Sequence, residues 1–382
     1  MTENKVIVIG GDHYNTLWVI RSLGLGGISP YAIIVNPDKN VSFVTKSKYL
    51  QKSWVINNET SIKGILQGCF NSEKLSPVII CTSDGSASYI DEYYDELKDK
   101  FLMPNIGGKG KLISYWMDKS KMIQAAKEAG FNIPRTWNLN LEQCDEIRKI
   151  IPEDISYPCI IKPLKSSEGT KYDFRICTNE VTLVKYLDEL KKQINLIIIQ
   201  EYIKSDYEVS FPAVNLYYAG KNIIPGLLIK LSTCNNTYNL GMSTYACLRK
   251  DLKPLISMEK VHHLFKTIPY FGLYSMEFLV CEDKAYFLEI NLRNDGNMFY
   301  VTTAGVNLPL LWVLDITNHD ISHLQQNVSH SIYGMTEISY IKYFKLKNWR
   351  QGLKDWYRSD CFSIFYKKDI MPFIYKFIYF LK

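Results

Sequence analysis

The chain is poor in the residues and runs that mark many common chemistries. Its six histidines (His13, His262, His263, His319, His323 and His330) show no metal-ligand spacing beyond the adjacent pair at 262 and 263, and none of its nine cysteines belongs to a CxxC pair. Zinc is therefore not expected. Scattered cysteines, odd in number and set in apolar runs, read as small core residues of a protein in a reducing cytoplasm. No apolar run reaches the length of a spanning helix, and the start, MTENKVIVIGG, is too short in apolar residues for a signal peptide. A GxGxxG fingerprint and a GxxxxGK[ST] loop are both missing. Gly10-Gly11 reads as a tight turn and 107–111, GGKGK, as a linker, so neither a nicotinamide enzyme nor a P-loop NTPase is expected. General positive charge is missing too. The net charge is +6, and 336–382 alone holds ten basic residues against four acidic ones, which leaves the remainder neutral. A nucleic-acid partner is not expected from such a balance.

What is present suits a packed protein. The 382 residues suffice for two or three domains, and 47% hydrophobic with 22% charged residues is ordinary globular composition. Residues 5–10 (KVIVIG), Tyr31–Val35 and 78–83 (VIICTS) read as buried strands, the first and third leading into apolar-periodic helices. Strand and helix in alternation predict a parallel sheet.

Four later stretches carry chemical signals. Asp118-Lys119-Ser120-Lys121 opens a helix that runs to Ala129 and stops at Gly130, with Asp118 as N-cap; lysines this early oppose the helix dipole and hint at a bound anion. In 157–171, YPCIIKPLKSSEGTK, a short apolar strand carries Lys162, and a buried ammonium needs an anionic partner. The SSEGT loop after it offers hydroxyls and N–H groups suited to phosphate oxygens. A helix over 180–192 leads to the strand Leu196–Ile199, then Gln200-Glu201-Tyr202-Ile203, and Glu208 follows in the strand Tyr207–Ala213.

The fourth stretch is 275–293. Two apolar runs flank Glu282-Asp283-Lys284, which predicts a β-hairpin centred on Asp283 with Glu277 opposite Glu289. Alternation puts Met276, Phe278, Val280, Tyr286, Leu288 and Ile290 on one face, and Glu277, Leu279, Ala285, Phe287, Glu289 and Asn291 on the other. Opposed side chains have Cβ atoms roughly 5 Å apart, where like charges destabilise unless compensated. A hard cation such as Mg²⁺, which also binds substrate phosphates, would compensate them. Solvated glutamates on a wet strand face are the plainer alternative. Further on, 305–317 reads as a helix packing behind the hairpin.

Taken in order, the DK-opened helix, IIKP, the small-residue loop, QEYI, the later Glu, EF and EIN-x-R resemble the ATP-grasp superfamily over roughly 1–320. The resemblance implies an α/β and α+β chain: a Rossmann-like pre-ATP-grasp domain (1–105), a small ATP-grasp lobe with the phosphate loop (106–198), a large lobe with the metal site (199–318) and a basic, aromatic appendage (319–382). It further implies that Lys119 and Lys162 contact ATP phosphates under the loop Ser166, Ser167, Glu168, Gly169 and Thr170. Gln200, with Glu201, Tyr202 and Ile203, would meet the adenine, with either Gln200 or Glu201 turned inward, and Glu208 the ribose. Glu277, Glu289 and Asn291 would hold two Mg²⁺ ions, with Mn²⁺ as substitute, and Arg293 would stabilise charge on the transferring phosphoryl group or the acyl intermediate. Here the family's EINPR reads EINLR, and the loop is poorer in glycine than in many relatives.

The implied reaction is ATP-dependent activation of a small carboxylate as an acyl phosphate and its ligation to an amine (an amino acid, peptide or amino sugar) or a thiol, in surface-polysaccharide or peptide biosynthesis. Alternatives are a nucleotide-binding scaffold without turnover and a bicarbonate-dependent carboxylating enzyme. Arg175, Lys230 and Arg249 are candidate substrate contacts by charge and location. The expected setting is cytoplasmic, with small-molecule substrates, and a homodimer is left open. The tail segment MPFIYKFIYFLK either docks on its own chain or lies at a membrane surface.

Overall fold

Four short strands, three of them rich in buried β-branched residues, build the first sheet. β1 (Val6–Gly11), β2 (Tyr31–Val35), β3 (Lys52–Ile56) and β4 (Val78–Cys81) are all parallel, in the order β3-β2-β1-β4. The sequence does not announce β3, because it is a half-exposed edge strand that begins with Lys52 and Ser53 and has no continuous apolar run. Helix Tyr14–Leu25 follows β1 and helix Asp84–Glu92 follows β4, the latter opened by a capping box between Ser83 and Ser86. Strand order turns about β1, so the carboxyl ends of β1 and β4 border the crevice where sheets of this kind take ligands. The computed structural model describes residues 2–35, 42–142, 146–164, 175–235, 240–250, 255–344 and 349–381.

A small antiparallel sheet comes next, after the two-residue strand β5 (Asn105–Ile106). It contains β6 (Thr136–Asn140), β7 (Cys159–Pro163), β8 (Arg175–Cys177) and β9 (Leu196–Glu201), ordered β6-β9-β7-β8. Helix Glu180–Leu190 covers it through Leu183, Leu187 and Leu190. These residues, with Leu139, Ile161 and Ile199, form an apolar core of their own.

The large sheet holds β10 (Tyr207–Asn215), β11 (Asn222–Ile223), β12 (Leu227–Asn235), β13 (Leu240–Arg249), β14 (Tyr270–Cys281), β15 (Lys284–Asn291), β16 (Ile332–Met335) and β17 (Cys361–Phe362). Its order is β15-β14-β10-β12-β13-β16-β17, with β11 on β10 and β5 on β14. Helix Leu308–Ile316, buried along its whole length, packs between helix Tyr14–Leu25 and strands β10 and β14. One apolar cluster therefore runs from Val8 and Leu17 through Trp312 to Leu228 and Leu248, joining the first sheet to the large one.

The hairpin of β14 and β15 departs from expectation in two ways. Glu282 and Asp283 have φ of 48° and 61°, so they form a two-residue turn whose twist matches the strands, and the first pairs are Cys281 with Lys284 and Phe278 with Phe287. Leu288 is then an extra residue, a bulge that restores Glu277 opposite Glu289. Between turn and bulge the faces are exchanged. Ala285 and Phe287 belong to the core face, where Phe287 meets Phe278 at 5.6 Å, and Tyr286 stands beside Leu279 on the carboxylate face.

The tail docks on its own chain. Asp369, 2% exposed, accepts from Arg21 Nε at 3.0 Å, and Phe373 and Tyr375 of helix Met371–Leu381 pack against the first core cluster. Among the described residues no helix is long and apolar enough to cross a membrane.

Candidate active site

The large sheet contributes a cluster of buried charge. Register places Glu208 of β10 opposite Lys230 of β12, and Ser210 opposite Glu277 of β14. Lys230 Nζ donates to Glu277 Oε2 at 2.9 Å and also to Glu208 Oε1. Burial pushes the Glu208 carboxyl up to about 7 against the pull of Lys230. Burial alone would lower Lys230, but the two carboxylates hold its ammonium above its usual value. Glu289 lies opposite Glu277, and Asn291 is two residues further along β15.

The small sheet contributes the opposing cation. In β7, Lys162 donates through Nζ to Gln200 Oε1 of β9 at 2.9 Å, and Gln200 Nε2 donates to Thr136 Oγ1 at 3.1 Å. Glu201 instead turns outward, its carboxylate accepting from the Arg135 N–H at 3.2 Å, so Gln200 is the inward member of the pair. Burial lowers Lys162 to about 8, opposed by Glu289 and reinforced by Lys119. Glu208 and Glu277 also pull on it, which brings residues from both sheets into one electrostatic site. Lys119 opens helix Lys119–Glu128, capped by Asp118, and its N–H bonds to the Leu164 carbonyl at 3.3 Å, tying that helix to the end of β7. Tyr202 and Ile203 follow β9, the Tyr202 N–H reaching the Pro158 carbonyl at 3.2 Å. The loop residues Ser166, Ser167, Glu168, Gly169 and Thr170 lie outside the described residues.

Arg293 joins the site to the first sheet. Its Nε donates to Asp84 Oδ1 at 2.5 Å, its Nη2 to Asn291 Oδ1 at 3.1 Å and its Nη1 to the Asn294 carbonyl at 3.1 Å. Asn294 in turn bonds Asn15, whose amide also donates to the Thr82 carbonyl at 2.7 Å. Arg249 is exposed at the end of β13, and Arg175 lies over the Tyr186 ring at 5.9 Å. Sequence reasoning missed Asp84 as the partner of Arg293, and Lys230 as the cation between two carboxylates. A signal for Lys230 existed: LLIKL sets one lysine in an apolar strand, as IIKP does.

Among the described residues, no three His, Cys, Asp or Glu side chains are placed to hold a metal. Two carboxylates and an amide, those of Glu277, Glu289 and Asn291, form a set of hard oxygen donors. That set fits Mg²⁺, which keeps waters and takes further ligands from phosphates.

Comparison with known proteins bears on the fold. A model of the ATP-grasp domain matches residues 124–306. The chain carries an ATP-grasp domain. The ATP-grasp match spans Lys162, Gln200, Glu208, Lys230, Glu277, Glu289, Asn291 and Arg293, and starts just beyond Lys119. The solved L-amino acid ligase from Bacillus licheniformis superposes with a TM-score of 0.67 at 10% identity, covering 87% of this chain and 80% of that one. The biotin carboxylase domain of 2-oxoglutarate carboxylase from Hydrogenobacter thermophilus, solved with MgADP and bicarbonate, gives 0.65 at 19% identity over 87% of this chain and 74% of its own. Both share the ATP-grasp fold, and the parallel first sheet fits a pre-ATP-grasp domain. By sequence, the formate-dependent phosphoribosylglycinamide formyltransferase of Sulfurisphaera tokodaii is 23% identical over 203 residues, 52% of this chain. The chain spans about half the length of that relative.

Proposed function

We propose that the chain is an ATP-dependent ligase that activates a small carboxylate as an acyl phosphate and joins it to an amine. The observation that carries this reading is Lys162, a half-buried ammonium of the small sheet that donates to Gln200 and lies in the field of Glu289, Glu208 and Glu277 of the large one. A phosphate chain placed between them would meet cation on one side and the metal-holding carboxylates on the other. Lys119 and Lys162 attract the phosphates, Gln200 with the backbone of Glu201 and Ile203 borders the adenine, and Glu208 meets the ribose. Glu277, Glu289 and Asn291 would hold Mg²⁺, which when bound supplies neutralising charge.

In this mechanism a carboxylate oxygen of the substrate bonds to the terminal phosphorus, and the bond from that phosphorus to ADP breaks. The amine nitrogen then bonds to the acyl carbon, phosphate leaves, and the amine loses a proton. Arg293, held by Asp84 and Asn291, is fixed beside Glu289, where a cation offsets the charge that gathers during transfer. The neighbouring L-amino acid ligase supports an amino-acid substrate, and the MgADP complex supports the nucleotide and metal.

The test is ADP and phosphate release by the purified chain with Mg-ATP and a matrix of amino acids, uronic acids and amines. Release that needs both a carboxylate and an amine is expected. ADP formation driven by bicarbonate alone, or nucleotide binding without turnover across the whole matrix, would overturn the ligase reading.

A further inference from the structure

Helix Trp349–Arg358 is turned inside out. Its one acid, Asp355, is 7% exposed and faces the protein, accepting from Tyr340 Oη at 2.5 Å and from Gln351 Nε2 at 2.8 Å. Trp349, Leu353, Trp356 and Tyr357 are 60, 59, 41 and 91% exposed. At spacings of four, seven and eight residues they share one face, the face a helix ordinarily buries. Arg350, Lys354 and Arg358 are exposed among them.

The tail helix repeats the pattern. Phe373 and Tyr375 pack inward, whereas Met371, Ile374, Phe377 and Ile378 are between 39 and 47% exposed. Its position is fixed by the Arg21–Asp369 ion pair and by Lys46 over the Tyr375 ring at 4.6 Å. A row of rings joins the two helices: Trp356 to Phe362 at 4.8 Å, Phe362 to Phe365 at 5.9 Å, Phe365 to Phe373 at 5.3 Å and Phe373 to Phe377 at 5.9 Å. The two helices are thus linked, through rings that include the inward-facing Phe373, into one continuous segment. From 349 to 381 it carries five exposed cations, Arg350, Lys354, Arg358, Lys367 and Lys368, and one exposed acid, Asp360.

We infer that this surface binds an anionic lipid bilayer peripherally. Exposed tryptophan, tyrosine and aliphatic side chains interleaved with arginine and lysine, with two of the nearby acids turned inward, match the interface between headgroups and acyl chains. A second copy of the chain fits less well, since symmetric pairing would set the five cations against their own image. Leu353, Ile374 and Ile378 argue against nucleic acid, because aliphatic side chains offer bases nothing to stack on.

The test is co-sedimentation of the full chain with phosphatidylcholine vesicles, with and without phosphatidylglycerol, at low and high salt. Binding only to the phosphatidylglycerol vesicles, weakened by salt, is expected. The Leu353→Ser/Tyr357→Ser variant should bind at least about tenfold more weakly. Arg350→Gln/Lys354→Gln should lose about fivefold per cation. All four positions are exposed, so both variants should melt at the wild-type temperature. Equal binding to neutral vesicles, or none to either, overturns the proposal. So does gel filtration showing a wild-type dimer that the Leu353→Ser/Tyr357→Ser variant splits, which would make this face a contact between copies.

Discussion

Glu277 and Glu289 stand opposite each other because two departures from a simple hairpin cancel. The turn at Glu282-Asp283 is one residue shorter than a turn centred on Asp283, and the bulge at Leu288 gives that residue back. Register has a period of two, so either change alone would send Glu289 to the other face.

Replacing Glu289 by Gln keeps the shape but removes the charge facing Lys162. ADP release should fall by about a hundredfold or more, with the far-ultraviolet spectrum and melting curve unchanged. Near-normal turnover in this variant would remove Glu289 from the site.

Lys162, lowered by burial to about 8, gives nucleotide binding a defined pH dependence. A bound phosphate favours the charged ammonium, so binding takes up a proton wherever the free protein has lost it. ATP affinity should be flat below about pH 8 and fall toward tenfold per pH unit above it, as read by calorimetric titration. Lys162→Arg should move that decline upward, out of the accessible range.

Lys230 is the cation between buried Glu208 and half-buried Glu277, so Lys230→Met strands like charges together. A loss of about 3–5 kcal/mol in denaturant unfolding at pH 7 is expected. Without the lysine, the Glu208 carboxyl, already raised by burial, loses the charge that opposes that rise. The deficit should therefore shrink as pH falls toward 5 and grow as it rises, and adding Glu208→Gln should recover part of it.

Asp84, the first residue of the helix after β4, touches the guanidinium at 2.5 Å from Arg293 Nε. Asp84→Ala frees Arg293 without touching the nucleotide-facing lysines. The turnover number should drop about tenfold while ATP affinity stays within about twofold, because the loss is one of positioning. An equal loss in both would place Asp84 in nucleotide binding instead.

Much of this architecture was legible where one local rule decides. IIKP and EIN-x-R mark charged groups in apolar strands, and the Asp118 cap and Gly130 stop frame their helix as expected, with Gly130 at a φ of 86°. The pairing of Glu277 with Glu289 was legible for a reason that proved incomplete. What stayed hidden depends on distant partners. Asp84 and Arg293 are 209 residues apart, and β3 gains its strand character from pairing with β2 more than from its own composition. Register between Glu208 and Lys230 likewise cannot be counted from either strand alone.

The apolar interior is not shared evenly. The sheet that bears Lys162 and Gln200 has a separate core, whereas the sheet that bears Glu277 and Glu289 is fused to the amino-terminal one through Trp312 and its neighbours. Lys162 and the carboxylates that face it are therefore carried on separately packed bodies. A change in their separation would alter the field at the Lys162 ammonium without breaking either core.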